Sequence, residues 1–264
     1  KNKTMGKYFN VTVKPPITVA ALAAGNITDT EILFDWHAFD IPKGAARLVG
    51  VTILYAGKNG ADYTPTDFEL FWGRGDKNNF DAPETLGSDG AAVNGNGYLS
   101  HIMGKTYVDA SNGTNDGDLI TGNVISVPNV SGGVAGASSI DGFPNVSGLV
   151  LQGVPDSGTN VGYDKLYVAA IAKAIHNWGP STMTIDTTVP ATTSPIITVA
   201  DLSPKLTLGP GDVLRDEDNQ LIGTVKKVDS ATQLTLEANS ASVVAEDKLV
   251  YNTTPITLLL SFEK

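Results

Sequence analysis

The sequence predicts an all-β fold: a large antiparallel β-sandwich, jelly-roll-like and rich in long loops, carrying a small inserted β-barrel or meander. Three observations predict it. Apolar residues alternate with period two through the first third of the chain, turn residues break these runs at short intervals, and no long amphipathic helix pattern occurs anywhere.

The elements follow in order. Phe9, Val11 and Val13 share one face of a first strand, with Tyr8, Asn10 and Thr12 on the other. Pro15-Pro16 then marks an edge or a break, because proline cannot donate to a central ladder. Ile32, Phe34 and Trp36 alternate with Glu31, Leu33 and Asp35. Leu48 to Tyr55 is apolar on both faces, as in a strand covered on both sides. Phe68, Leu70 and Trp72 oppose Asp67 and Glu69. Ala24-Gly25-Asn26, Ile41-Pro42-Lys43-Gly44 and Lys58-Asn59-Gly60 are the turns between them.

The middle changes character. Between Leu86 and Tyr163 lie 16 of the 28 glycines, which predicts long loops with short strands near Asn123–Val127 and Gly148–Gln152. Lys165–Ile175 suits a helix by its alanines and a buried strand by its alternation; the turn-like flanks favour the strand. Asp186–Pro195 is a polar linker with two prolines, expected to hold the following module off the sandwich. That module runs through Gly211–Leu214, the acidic turn Asp216–Asn219, Leu221–Val225, Gln233–Leu236 and Lys248–Tyr251. Ile256, Leu258, Leu260 and Phe262 then alternate cleanly, as in a strand returning to the sandwich. The expected organisation is 1–192 as sandwich, 193–254 as inserted module and 255–264 as the sandwich's closing strand.

Composition narrows the function. Eighteen Lys and Arg against 28 Asp and Glu give a net charge of −10, which argues against a nucleic-acid partner, since phosphate binding needs excess cations. No apolar run reaches the length of a membrane-spanning helix, so no membrane partner is expected. The absence of cysteine removes disulfides and thiolate-held metals.

Motifs carry little chemistry. No G-x-S-x-G surrounds Ser88 or Ser138, and Gly104-Lys105-Thr106 has Leu99 where a phosphate loop needs its first glycine. Gly73-Arg74-Gly75 and Gly95-Asn96-Gly97 both lack the third glycine of a dinucleotide fingerprint. His37, His101 and His176 have no metal-ligand partner at local spacing, and satisfied histidines are expected. Asp35 and Asp40 flank aromatic residues without forming a recognisable acid–base pair. Asn112–Asp118 and Asp216–Asn219 cluster oxygen ligands of the kind calcium takes, yet Asn123 stands where a calcium loop's bidentate Glu belongs. Both read more simply as solvated turns. Arg74-Gly75-Asp76 is read as a chance tripeptide after a strand. Seven sequons, at Asn2, Asn10, Asn26, Asn112, Asn129, Asn145 and Asn252, follow from an Asn- and Thr-rich composition. No catalytic, cofactor-binding or metal residue is therefore expected, and no enzyme.

Two stretches resemble known proteins. Residues 211–251, with Gly211-Asp212-Val213-Leu214, Leu221–Val225, Leu234-Thr235-Leu236 and Ala238-Asn239, resemble a small β-module of structural proteins in tailed bacteriophages, notably marine ones. Lys7–Val13 and the loop-laden sandwich after it are similar to virion proteins that coat heads or build fibres. The resemblance implies a virion structural protein without catalytic residues. The phage capsid subunit itself is disfavoured, because its usual fold includes a long spine helix.

A head-decoration protein on the capsid surface fits this resemblance best, with the phage major capsid protein as partner. It would be a homo-oligomer, with a trimer suggested by local lattice symmetry. A tail or fibre component touching the host is the alternative. A secreted carbohydrate-binding module stacking sugars on Trp36, Trp72 or Trp178 is a third, against which alternation favours core packing for Trp36 and Trp72.

Overall fold

The computed structural model describes residues 7–57, 63, 66–75, 82–94, 101–110, 114–115, 123–128, 149–155, 162–188, 194–200 and 208–264. In chain order the elements are β1 (Tyr8–Val13), α1 (Val19–Ala24), β2 (Ile32–Pro42), β3 (Ala46–Tyr55), β4 (Phe68–Gly73) and β5 (Ile102–Val108). β6 (Thr114–Asn115), β7 (Asn123–Pro128), β8 (Leu149–Leu151), β9 (Val154–Pro155) and β10 (Tyr163–Ala172) follow. The last part holds β11 (Thr184–Ile185), β12 (Ile196–Ala200), β13 (Val213–Asp216), β14 (Leu221–Val228), β15 (Gln233–Leu236), β16 (Val250–Asn252) and β17 (Ile256–Glu263).

Two antiparallel sheets make the sandwich. One has the order β1-β17-β3-β7-β6 with β8 also on β3; the other runs β2-β10-β4-β5 with β9 on β10. The chain passes between them repeatedly, so neither sheet is a local meander. Period-two alternation supplies the interior: Leu48, Val51, Ile53, Leu258, Leu260 and Phe262 from the first sheet meet Phe39, Phe68, Leu70, Trp72, Leu166 and Val168 from the second. Phe39 bridges the layers, edge-on to Trp72 at 6.3 Å and tilted over Phe262 at 6.5 Å. β17 sits centrally, paired along both β1 and β3. The two chain ends lock together, Lys264 N donating to Lys7 O at 2.8 Å and Lys7 N to Lys264 O at 3.2 Å.

Three features depart from simple alternation. Ile32, Phe34 and Trp36 do not share a face: irregular register against β10 on both sides of Ala170 reverses the phase of β2. Phe34 therefore enters the sandwich core, whereas Ile32 and Trp36 join Leu86, Ala169 and Val93 in a separate layer outside the second sheet. β3 is covered on one side only; Arg47 is exposed and Thr52 and Leu54 are half-buried on the other. The six-residue helix α1 has no counterpart in the sequence reading. Its alanines favour helix, Val19, Ala21 and Leu22 enter the core, and Gly25 ends it at φ +91°. The Lys165–Ile175 ambiguity resolves as strand β10.

The third sheet, β11-β12-β15-β14-β13-β16, curls into a nearly closed barrel. Ile185 N donates to Lys248 O and Val250 N to Met183 O, joining its first and last strands. Its own apolar interior holds Ile185, Ile197, Val199, Leu214, Ile222, Val225, Leu234, Val244 and Val250. β11, ahead of residue 193, belongs to this sheet because Met183 and Ile185 alternate into the same interior. The barrel is docked against the sandwich and not held off it: Ile17 N donates to Thr253 O at 2.6 Å, and Lys14 reaches Asp212.

Candidate functional site

Side chains from distant parts of the chain converge at the end of the sandwich that carries the barrel. His176, wholly buried, follows β10 and is fixed by an antiparallel bridge to Ile27. Its Nε2–H donates to the Asp67 carbonyl at 3.1 Å, because a carbonyl can only accept. Nδ1 is then the acceptor, with Tyr63 Oη and Thr66 Oγ1 each 2.9 Å away. Burial pushes the imidazole pKa down to about 4, although Asp67 pulls the other way. The ring is neutral, with both nitrogens engaged.

Aromatic rings surround it. Tyr63 stacks on Trp178 at 4.6 Å and 4° and on Tyr55 at 5.2 Å, and Phe68 meets His176 edge-on at 5.7 Å. Burial raises the Tyr55 hydroxyl well above its ordinary range and raises Tyr63 also. Trp178 Nε1 and Tyr55 Oη are buried without a hydrogen-bond partner among the described residues. This packing makes His176 a structural residue, without access to a substrate.

Beyond Trp178 a cleft of about 60 Å³ opens between sandwich and barrel, lined by Leu22, Trp178, Met183, Val250, Tyr251 and Pro255 among others. Along the same seam Asp212 accepts from Lys14 Nζ at 2.6 Å, Gly209 N at 2.8 Å and Asn252 Nδ2 at 2.9 Å. Burial pushes the Asp212 carboxyl up against the pull of these donors. The site is an anchored joint.

No family model, curated protein or solved structure matches this chain.

The structure separates the residues that the sequence singled out. His37 lies in β2 opposite Val168, where burial lowers its pKa, and His101 donates from Nδ1 to Arg74 O at 3.1 Å. Among the described residues no three His, Asp or Glu side chains gather around a metal position. Asp35 is consumed by Thr85 Oγ1 and Leu86 N, and Asp40 sits opposite Lys165. Asp89 pins the 82–94 segment by accepting from Thr18 N and Asp35 N, with its pKa raised by burial. Gly104-Lys105-Thr106 lies within β5, not in a loop. Lys105 pairs with Glu69 at 2.6 Å, Thr106 Oγ1 accepts from Trp72 Nε1, and a Cβ on Gly104 would press Leu149 at 2.7 Å.

The acidic turn Asp216–Asn219 is a closed hairpin connection. Asp216 Oδ1 accepts from Asp218 N and Gln220 N, while Lys248 bridges Glu217 at 2.7 Å and Asp218 at 2.9 Å. The carboxylates of the turn are thus taken up by an ammonium and by backbone donors. Trp72 and Trp178 are buried, so neither offers a ring face to a sugar. Of the sequons, Asn10 is exposed on β1, whereas Asn252 is committed to Asp212 and Thr254. Asn112, Asp118, Asp76, Ser138, Gly95, Gly97 and the sequons at Asn2, Asn129 and Asn145 lie outside the described residues, as does 129–147.

Sequence reasoning missed the His176 cluster and the Lys14–Asp212 contact. The latter spans 198 positions, so no local spacing could signal it.

Proposed function

We propose that this chain is a virion structural protein of a tailed phage, a head-decoration protein that lies on the capsid shell and stiffens it. The observation that carries this reading is the barrel: residues 211–251, which bear the resemblance to the phage module, lie almost wholly within it and are held to the sandwich at both ends. The outer face of the first sheet suits such a role. Thr12, Leu259 and Thr52 form one uncharged row across β1, β17 and β3, a surface that can lie against another protein without burying charge. The interlocked chain ends and the buried, fully bonded His176 suit a part that must resist strain, and the role requires no catalytic step.

Antibody labelling of intact particles tests this reading. Label distributed over the head supports it. Label confined to the tail or its fibres overturns it in favour of a host-contacting component.

A further inference from the structure

The two poles of the molecule differ in charge, and one of them carries a hollow. At the pole remote from the barrel, the chain ends and the β2–β3 turn gather Lys7, Lys43, Arg47 and Lys264. Among the described residues the one surface carboxylate beside them is Glu263, already engaged by Tyr8 Oη at 3.1 Å and Arg47 at 3.5 Å. Asp164 is buried there, accepting from Gly44 N, and Asp40 lies opposite Lys165. Tyr8, Glu263, Arg47 and Val150 form one row across four strands on the outer face, with Tyr8 72% and Val150 59% exposed. A hollow of about 360 Å³ opens beside this row, lined by Ala45, Ala46, Arg47, Val150, Glu263 and Lys264.

The far pole is the distal end of the barrel. Pairing directions in all six strands bring the 216–221 turn, 240–243, 194–196, 186 and 247 to this end, while Asp212 and Thr253 face the sandwich. It exposes Ile196, Leu221 and Val243, the last by 60%. Around them stand the exposed carboxylates Asp186, Glu217, Asp218, Glu246 and Asp247. Against these are Lys248, shared between Glu217 and Asp218, and Arg215, which donates to Asn219 O.

We propose that the acidic, aliphatic barrel tip of one copy docks into the basic, aromatic-flanked hollow of a second copy, head to tail. Every copy carries both halves of the contact at opposite poles, so the interface is heterologous and builds rings or filaments. Tip-to-tip pairing sets carboxylate against carboxylate, which charge disfavours. The proposal goes beyond the function proposed above and stands on the two surfaces alone.

Sedimentation velocity of the purified full chain across a concentration series tests it. Self-association should weaken by about tenfold or more between about 0.05 M and 0.5 M salt, as screening shortens the reach of the charges. Two surface variants, Lys7→Glu/Lys43→Glu and Glu217→Lys/Glu246→Lys, should each be monomeric with native circular dichroism. Mixing them should restore association, because each then offers the charge that the other lacks. A chain that stays monomeric at low salt overturns the proposal. So does association that survives both charge reversals, or variants that remain monomeric when mixed.

Discussion

Lys14 Nζ lies 2.6 Å from Asp212 Oδ1 and joins the segment after the first strand of the sandwich to the residue that leads into β13 of the barrel. The partners are unequal. The Asp212 side chain is 6% exposed and takes two further donors, Gly209 N and Asn252 Nδ2, whereas that of Lys14 is 23% exposed and keeps contact with water. Lys14→Met should therefore cost roughly 3 kcal/mol, since it leaves the buried Asp212 carboxylate without its countercharge, and Asp212→Ala about 1–2 kcal/mol, since Lys14 keeps water and Pro210 O while Gly209 N and Asn252 Nδ2 lose an acceptor. Urea unfolding of both variants measures the difference; equal losses would contradict the asymmetry.

His176 makes stability depend on pH. Its folded pKa of about 4 lies below the ordinary 6.5, so the unfolded chain binds a proton first as pH falls. Its contribution is full above pH 6.5, declines between 6.5 and about 4, and amounts to roughly 3 kcal/mol across that window. His176→Gln should lower stability at neutral pH and flatten this part of the pH profile. A parallel loss in wild type and variant between pH 6.5 and 4 would assign the dependence to other groups.

Deletion of 255–264 should unfold the sandwich. The segment supplies Ile256, Leu258, Leu260 and Phe262, each wholly buried, and their burial contributes roughly 6–12 kcal/mol together. That is comparable to the whole stability of an ordinary domain. Near-ultraviolet circular dichroism of the truncated chain should lose its aromatic signal, to which Trp72 and Phe39 of the core contribute. A native signal would show that β17 is dispensable.

Thr106→Val should cost about 1–3 kcal/mol, because it leaves Trp72 Nε1–H buried without its 2.9 Å acceptor while changing little volume. Thermal unfolding measures the cost. An unchanged midpoint would mean that the indole finds another acceptor.

The strands were legible because period-two alternation is local: Phe68-Leu70-Trp72 and Ile256-Leu258-Leu260-Phe262 each show their buried face within seven residues. The irregular register of β2 was not, since one added residue reverses the faces without changing composition. α1 is too short, at six residues, to display a helical period. The joint was illegible for another reason. His176 finds Tyr63 across 113 positions and Lys14 finds Asp212 across 198, so only the assembled fold gives either its partner.

Reconstitution on capsids stripped of their decoration tests the central claim most directly. Purified chain added to such shells should bind saturably, at one ring per local symmetry axis, and raise the temperature at which the shells open. Binding only to tail structures or to host cells, or no binding to stripped shells at all, would contradict it.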